Sequence, residues 1–331
     1  MSSPSEWVES FLARAGQGLS IDRRVDEPHG FDADGVLKVL HDPRLDTRSV
    51  IEALTDLMHP TDSMYFDAIF GAFHGQVEIR NWLVPTMGDI SFIEFEPTAP
   101  TEVFSHGTGT SSIDEWQMWA NLGDDRLPLP RGVSTRHYRD GWVTWNADVY
   151  DTAPMRQPPP DVDVDPAMAA TTGDSEPEPL PPPPRVDWPS APMVAPSSSD
   201  ALREWLDTPP EHRGPLDHAD IHTIMVTPEL GLDPDVVGPL WHPSESRLAE
   251  PTAEFTGAAA IREHLGRRRE ARTSITLEQI GPALFNGSCT AFEWVARSAA
   301  STEPGVRGTS VCRYHDGLIT YAADYYDTAA T

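Results

Sequence analysis

Two aspartates hold equivalent places in the chain and could serve as general acids or bases. Asp148 lies in WVTWNADVYD (142–151) and Asp324 in LITYAADYYD (318–327). Strand alternation puts Trp142, Thr144, Asn146, Asp148 and Tyr150 on one face, and Val143, Trp145, Ala147 and Val149 on the other. The second stretch repeats the first face as Leu318, Thr320, Ala322, Asp324 and Tyr326. A carboxylate set mid-strand among aromatic neighbours is costly to bury unless it is paired or put to use. A desolvated carboxyl group is also suited to exchanging protons near neutral pH. Asp148 is therefore the candidate acid or base, with Asp114, His137 and Tyr65 to orient a substrate or polarise a carbonyl. Trp116, Met118, Asn146, Trp142, His106 and Asp324 are the candidate substrate contacts.

Each choice has a plainer alternative. Asp148 and Asp324 could bond backbone groups or an arginine such as Arg136 or Arg80. Trp116, Trp142, Trp145 and Trp294 could simply fill cores. His218 and His222, four apart, make only half a zinc site, and no metal is expected. Arg267-Arg268-Arg269 reads as a solvated helix end. No glycine-rich phosphate loop, Gly-x-Ser-x-Gly elbow or His-Glu-x-x-His motif is present, so no cofactor is expected and nucleotide, serine-hydrolase and zinc-protease chemistries are disfavoured.

The elements that position these residues come in two copies. RGVSTRHYRDGWVTWNADVYDTAP (131–154) returns as RGTSVCRYHDGLITYAADYYDTAA (307–330), with 13 of 24 positions identical. Upstream, FHGQVEIRNWL (73–83) pairs with FTGAAAIREHL (255–265), and MHPTDSMYFDA (58–68) with WHPSESRLAEP (241–251). Each copy reads as helices and then strands, with the Asp-Gly steps Asp140-Gly141 and Asp316-Gly317 as hairpin turns. That order predicts an α+β fold in two domains, 1–154 and 197–331. Between them, 155–196 is a proline-rich acidic linker, read as an extended spacer. The copies differ where chemistry could lie. Tyr65, Asp67, Asp114, His137 and Asn146 become Leu248, Glu250, Phe292, Arg313 and Ala322, and His106 has no counterpart. Catalysis is thus expected in the first copy, with the second as a supporting partner.

The net charge of −28 over 331 residues, with Lys38 the single lysine, disfavours nucleic acid and anionic membrane as partners. No window approaches 18 apolar residues, and the N-terminus lacks a basic segment followed by an apolar core, so a cytoplasmic location is expected. The two cysteines, Cys289 and Cys312, are expected to be reduced.

The blocks together resemble a known family. They are His59-Pro60 leading into Tyr65-Phe66-Asp67, then Phe73-x-Gly75-x-x-x-Ile79-Arg80-x-x-Leu83, then Asp-Gly-apolar-Val/Ile-Thr-aromatic-x-x-Asp-x-Tyr-Asp; the second copy keeps His242-Pro243 and the last two blocks but has Leu248-Ala249-Glu250 for Tyr65-Phe66-Asp67. The pattern resembles the SnoaL-like polyketide cyclases and limonene-epoxide-hydrolase-like enzymes of the NTF2-like superfamily. The resemblance implies two cone-shaped domains, each a bent antiparallel sheet packed on N-terminal helices around an apolar pocket. It also implies domains that pair through their sheets, here as an intramolecular pseudo-dimer that leaves room for a homo-oligomer. The implied activity is that of a cyclase, isomerase or hydratase/hydrolase acting on a hydrophobic polyketide-, terpenoid- or steroid-like molecule; a non-catalytic binding or scaffold protein is the alternative. In the epoxide hydrolases the closing aspartate works with a Glu-Arg-x-Asp strand. Here that strand reads Glu115-Trp116-Gln117-Met118 and Glu293-Trp294-Val295-Ala296, which favours proton abstraction, isomerisation or aldol-type cyclisation over epoxide opening.

Overall fold

The computed structural model describes residues 3–15, 31–88, 93–122, 125–156, 180–188, 190–193, 196–271, 275–298 and 305–330. The first half begins with helices α1 (Pro4–Ala15), α2 (Ala33–Leu40) and α3 (Thr47–Leu57). Asp32 and Asp46 start α2 and α3 by accepting the backbone N–H groups of Gly35 and Ser49, each at 2.8 Å. There follow β1 (Met64–Asp67), β2 (Gly71–His74), α4 (Gly75–Met87), β3 (Ile93–Pro97), β4 (Glu102–His106), β5 (Gly109–Leu122), β6 (Asp125–Arg139) and β7 (Trp142–Tyr150). The second half contains β8 (Ala191–Pro192), α5 (Asp200–Asp207), α6 (His218–Met225), the short helices α7 (Pro228–Gly231) and α8 (Pro234–Val237), β9 (Arg247–Glu250), β10 (Ala253–Thr256), α9 (Ala258–Ala271), β11 (Ile275–Phe285), β12 (Cys289–Ser298), β13 (Val306–His315) and β14 (Leu318–Tyr326).

These strands form two seven-stranded sheets, so the fold is α+β. One runs β2-β1-β7-β6-β5-β3 with β4 on β5, and the other β10-β9-β14-β13-β12-β11-β8. The sheets are not wholly antiparallel as expected, because β1 joins β7, and β9 joins β14, in parallel. Both Asp-Gly turns form as predicted. Asp140 and Gly141 have φ of 53° and 82°, and Asp316 and Gly317 of 50° and 73°, the left-handed pair that a tight hairpin needs.

One side of each sheet packs on its own helices; the other sides face each other. Phe66, Ile113, Val133, Ala147 and Val149 of the first sheet share one buried cluster with Ala291, Val295, Val311, Ala323 and Tyr325 of the second. Buried charge crosses this contact. Glu115 takes Arg313 as its ion-pair partner and accepts from the hydroxyls of Tyr321 (2.7 Å) and Tyr325 (2.6 Å). Glu293 pairs with Arg307, and His137 Nε2 and Trp145 Nε1 approach it at 3.2 and 3.3 Å. The repeated Asp-Thr steps exchange bonds between the halves. Asp327 accepts the N–H (2.9 Å) and hydroxyl (2.8 Å) of Thr152, and Asp151 those of Thr328 (3.0 and 2.7 Å).

The linker is less free than its composition predicts. Residues 157–179 lie outside the described residues, but Trp188 is buried between Phe66, Trp145 and the Arg307 guanidinium, which sits 4.5 Å from its ring. An indole can remove enough apolar surface from water to anchor an otherwise proline-rich segment.

Candidate functional site

The bulge in β7 decides which side chains can meet Asp148. His137 pairs with Trp145 but Tyr138 with Val143, so Thr144 is the extra residue and the alternation flips there. Val143 therefore joins the helix-side core, and Trp142 leaves the face of Asp148 to lie edge-on to His59, 5.8 Å between centroids. Asp148 accepts bonds from the Tyr65 hydroxyl, from Ser134 Oγ (2.6 Å) and from Asn146 Nδ2 (3.1 Å). Trp116 Nε1 in turn donates to Ser134 Oγ at 3.0 Å. Asp114 sits beside this group, paired with Arg136 and accepting from the Thr101 hydroxyl. Burial, the largest single effect, opposes the Arg136 charge, but Asp114, Tyr138, Asp148 and Tyr65 together outweigh it and the pKa is raised. Burial, then the charge of Asp148, drives the Tyr65 pKa well up. Asp67 accepts from the Tyr150 hydroxyl (3.1 Å), and burial, then Asp148, pushes it up to about 7.

The structure thus brings Tyr65, Asn146 and Asp148 together, with Asp114 and Trp116 alongside. Met118 is buried with Trp116 and Tyr150. His137 and His106 lie elsewhere: alternation along β6 turns His137 toward the other sheet, where Ser111 Oγ bridges it (2.6 Å) to His106 (2.8 Å). Burial, then the nearby His137, lowers the His106 pKa.

The second half repeats the innermost relay. Trp294 Nε1 donates to Ser310 Oγ (2.9 Å), which donates to Asp324 (2.6 Å). The indole lies flat over Gly308, where any Cβ would strike the ring, as it would at Gly132 beneath Trp116. The shared glycines are explained by this close approach.

Around the relay the halves diverge. By register, Asn146 and Arg136 face each other across β7 and β6, where β14 and β13 have Ala322 and Cys312. Tyr65 beside Asn146 becomes Leu248 beside Ala322, and Asp114 becomes Phe292. Phe292 is larger than Asp114, but Leu248, Cys312 and Ala322 are smaller than Tyr65, Arg136 and Asn146, and a cavity of about 70 Å³ lies here, lined by Asp324, Ser310, Arg268 and apolar residues that include Trp241, Leu248, Phe292, Trp294, Cys312 and Ala322. Arg268 enters from α9 and reaches Asp324 (2.8 Å) and Glu250 (2.6 Å); His264 Nε2 lies 3.1 Å from the other Glu250 oxygen. Burial opposes the Arg268 charge, but Asp324 and Glu250 more than restore it and its pKa is raised.

Arg268 was hidden in the run Arg267-Arg268-Arg269. Its neighbours are solvated as expected, with side chains 57% exposed, but Arg268 is 14% exposed. The signal was its place three and seven residues beyond Leu265 and Ile261, on the buried stripe of α9. Among the described residues no cluster of three or more His, Cys, Asp or Glu could hold a metal. His218 lies 2.7 Å from the Gly287 carbonyl, while His222 contacts the Thr290 hydroxyl (2.8 Å) and burial lowers its pKa to about 4. Cys289 and Cys312 are free and buried, and burial raises both thiol pKa values. No helix among the described residues is long and apolar enough to cross a membrane.

No protein-family model matches the chain, and no curated protein matches it. Among solved structures, it is similar to a proposed isomerase of the SnoaL-like family from Agrobacterium tumefaciens, at 21% identity over 28% of this chain and 80% of that one, with a TM-score of 0.25. It is also similar to a protein with a ketosteroid isomerase-like fold from Catenulispora acidiphila (21% identity, 33% and 87% covered, TM-score 0.27). A third is an NTF2-like protein of unknown function from Cytophaga hutchinsonii (8% identity, 35% and 94% covered, TM-score 0.26).

Proposed function

We propose that the chain is a cofactor-independent acid–base enzyme of the SnoaL-like kind, made of two NTF2-like domains (1–154 and 197–331), with Asp324 as its working carboxylate. The observation that carries this reading is the apolar cavity of the second half, which converges on Asp324, Ser310 and Arg268. The Ser310 hydroxyl holds one oxygen of Asp324 and Arg268 the other. In a proton transfer, Asp324 would take a proton from a carbon beside a carbonyl and return it to a second carbon. The Arg268 guanidinium would stabilise the charge that develops on the carbonyl oxygen. The first half, whose interior is occupied by Tyr65, Arg136 and Asn146, would act as a supporting partner in an intramolecular pseudo-dimer.

A test reaction is conversion of 3-cyclohexenone to its conjugated isomer, followed by the absorbance of the product. Asp324→Asn should lower the rate at least about 100-fold, the lower end of what a positioned acid–base group supplies. Asp148→Asn should retain the rate per folded molecule. Equal loss in both variants, or none in either, would remove the assignment. A second reading, a non-catalytic ligand-binding protein, is favoured by the size of the cavity, about 70 Å³, against roughly 300–1,000 Å³ for most ligand sites. Ligand binding without any Asp324-dependent turnover would support it.

A further inference from the structure

The proposed site also limits what it can hold. Its floor is rigid: Trp294 lies flat over Gly308, so one indole face is used against the strand while the residue also lines the cavity. Leu248, Cys312 and Ala322 beside it are buried. Its outer wall is softer, because Met193 and Met225 are partly exposed and carry unbranched thioether chains that repack at little expense. A cavity of about 70 Å³ has room for only a few heavy atoms, and yielding methionines extend that to about one ring.

The charges set a second limit. Those lining the cavity are Asp324 and Arg268, and they are paired with each other. The second carboxylate on Arg268, Glu250, faces His264. A charged ligand would find every counter-charge already engaged, in a place with little water to solvate it. A hydroxyl or an enol-forming carbonyl, by contrast, could exchange a hydrogen bond with Asp324, Ser310 or Arg268 without adding charge.

We propose that the second-half cavity takes an uncharged molecule of about one ring, bearing one hydroxyl or enol-forming carbonyl, rather than a fused-ring polyketide or steroid. The proposal rests on the reading of this cavity as the working site. Four probes separate the possibilities: phenol, 2-naphthol, benzoate and benzylammonium, titrated into the full chain by calorimetry. Phenol should bind at least tenfold more tightly than the other three. Ala322→Leu, which fills the floor, should weaken phenol at least tenfold, and Met225→Trp, at the partly exposed wall, provides a second block should the first variant misfold. Equal or tighter binding of 2-naphthol or of either ion overturns the proposal, as does phenol binding that neither variant weakens. If phenol fails to bind while cyclohexenone isomerisation still depends on Asp324, the ligand class is wrong and the site stands. If phenol binds as stated but isomerisation does not depend on Asp324, the catalytic reading fails and the ligand class stands.

Discussion

Arg307→Met should destabilise the protein by about 3 kcal/mol, and adding Glu293→Gln should recover most of the loss. Both side chains of this ion pair are 3% exposed. The guanidinium lies 4.5, 4.7 and 5.2 Å from the rings of Trp188, Trp145 and Phe66. Burial works to raise the Glu293 pKa, but Arg307, then His137, hold it below the usual carboxylate range. Burial also pulls on Arg307, yet a guanidinium starts high enough to remain charged. Removing one member of a buried pair costs about 3–5 kcal/mol, because the other is left desolvated without its counter-charge. Two effects place Arg307→Met at the low end: His137 and Trp145 still reach Glu293, and methionine keeps part of the contact with the rings. Replacing both members with uncharged groups leaves nothing unpaired, so the double variant should fall within about 1 kcal/mol of the parent. Urea unfolding followed by tryptophan fluorescence measures all three proteins. A single variant within about 1 kcal/mol of the parent, or a double variant no better than the single, would refute the idea that this pair, buried against His137, Trp145 and Phe66 of the first half, stabilises the contact between the halves.

Three further outcomes follow from the same geometry. Asp67 has a folded pKa of about 7, above its unfolded value, so its contribution to stability is complete below the unfolded pKa and fades as pH rises through about 7; Asp67→Asn should flatten the fall in melting temperature between pH 5 and 8, read by calorimetry. Asp151→Ala and Asp327→Ala each remove two hydrogen bonds to a threonine of the other half and should cost similar amounts, about 1–3 kcal/mol each, in urea titrations. Gly308→Ala would drive a methyl group into the Trp294 ring and should cost about 1–3 kcal/mol by the same assay, with Gly132→Ala behaving alike against Trp116.

The architecture was legible because the same local signals occur twice. The two Asp-Gly turns and the alternation of the closing strands both depend on near neighbours in sequence. The site was harder to read, because its contents depend on contacts between distant segments. Asp148 and Asp324 both lie in Ala-Asp-x-Tyr-Asp, yet Tyr65, 83 residues away, bonds one while Arg268, 56 residues away, pairs with the other. A one-residue bulge at Thr144 moved Trp142 off the face that strict alternation assigns it. His137 was read as a partner for Asp148, although its parity along β6 already pointed it to the opposite side. The richer set of polar residues in the first half suggested chemistry there. In the structure those side chains bond one another and occupy the space, while the substitutions to Ala322 and Cys312 leave the second half hollow.

Xenon tests that difference between the halves without any knowledge of the substrate, because apolar cavities bind the gas. Crystals of the full chain pressurised with xenon should show a site bounded by Trp294, Leu248 and Ala322, near Asp324. Xenon lodged beside Asp148 and Asn146, with none near Asp324, would contradict the assignment of the working pocket to the second half.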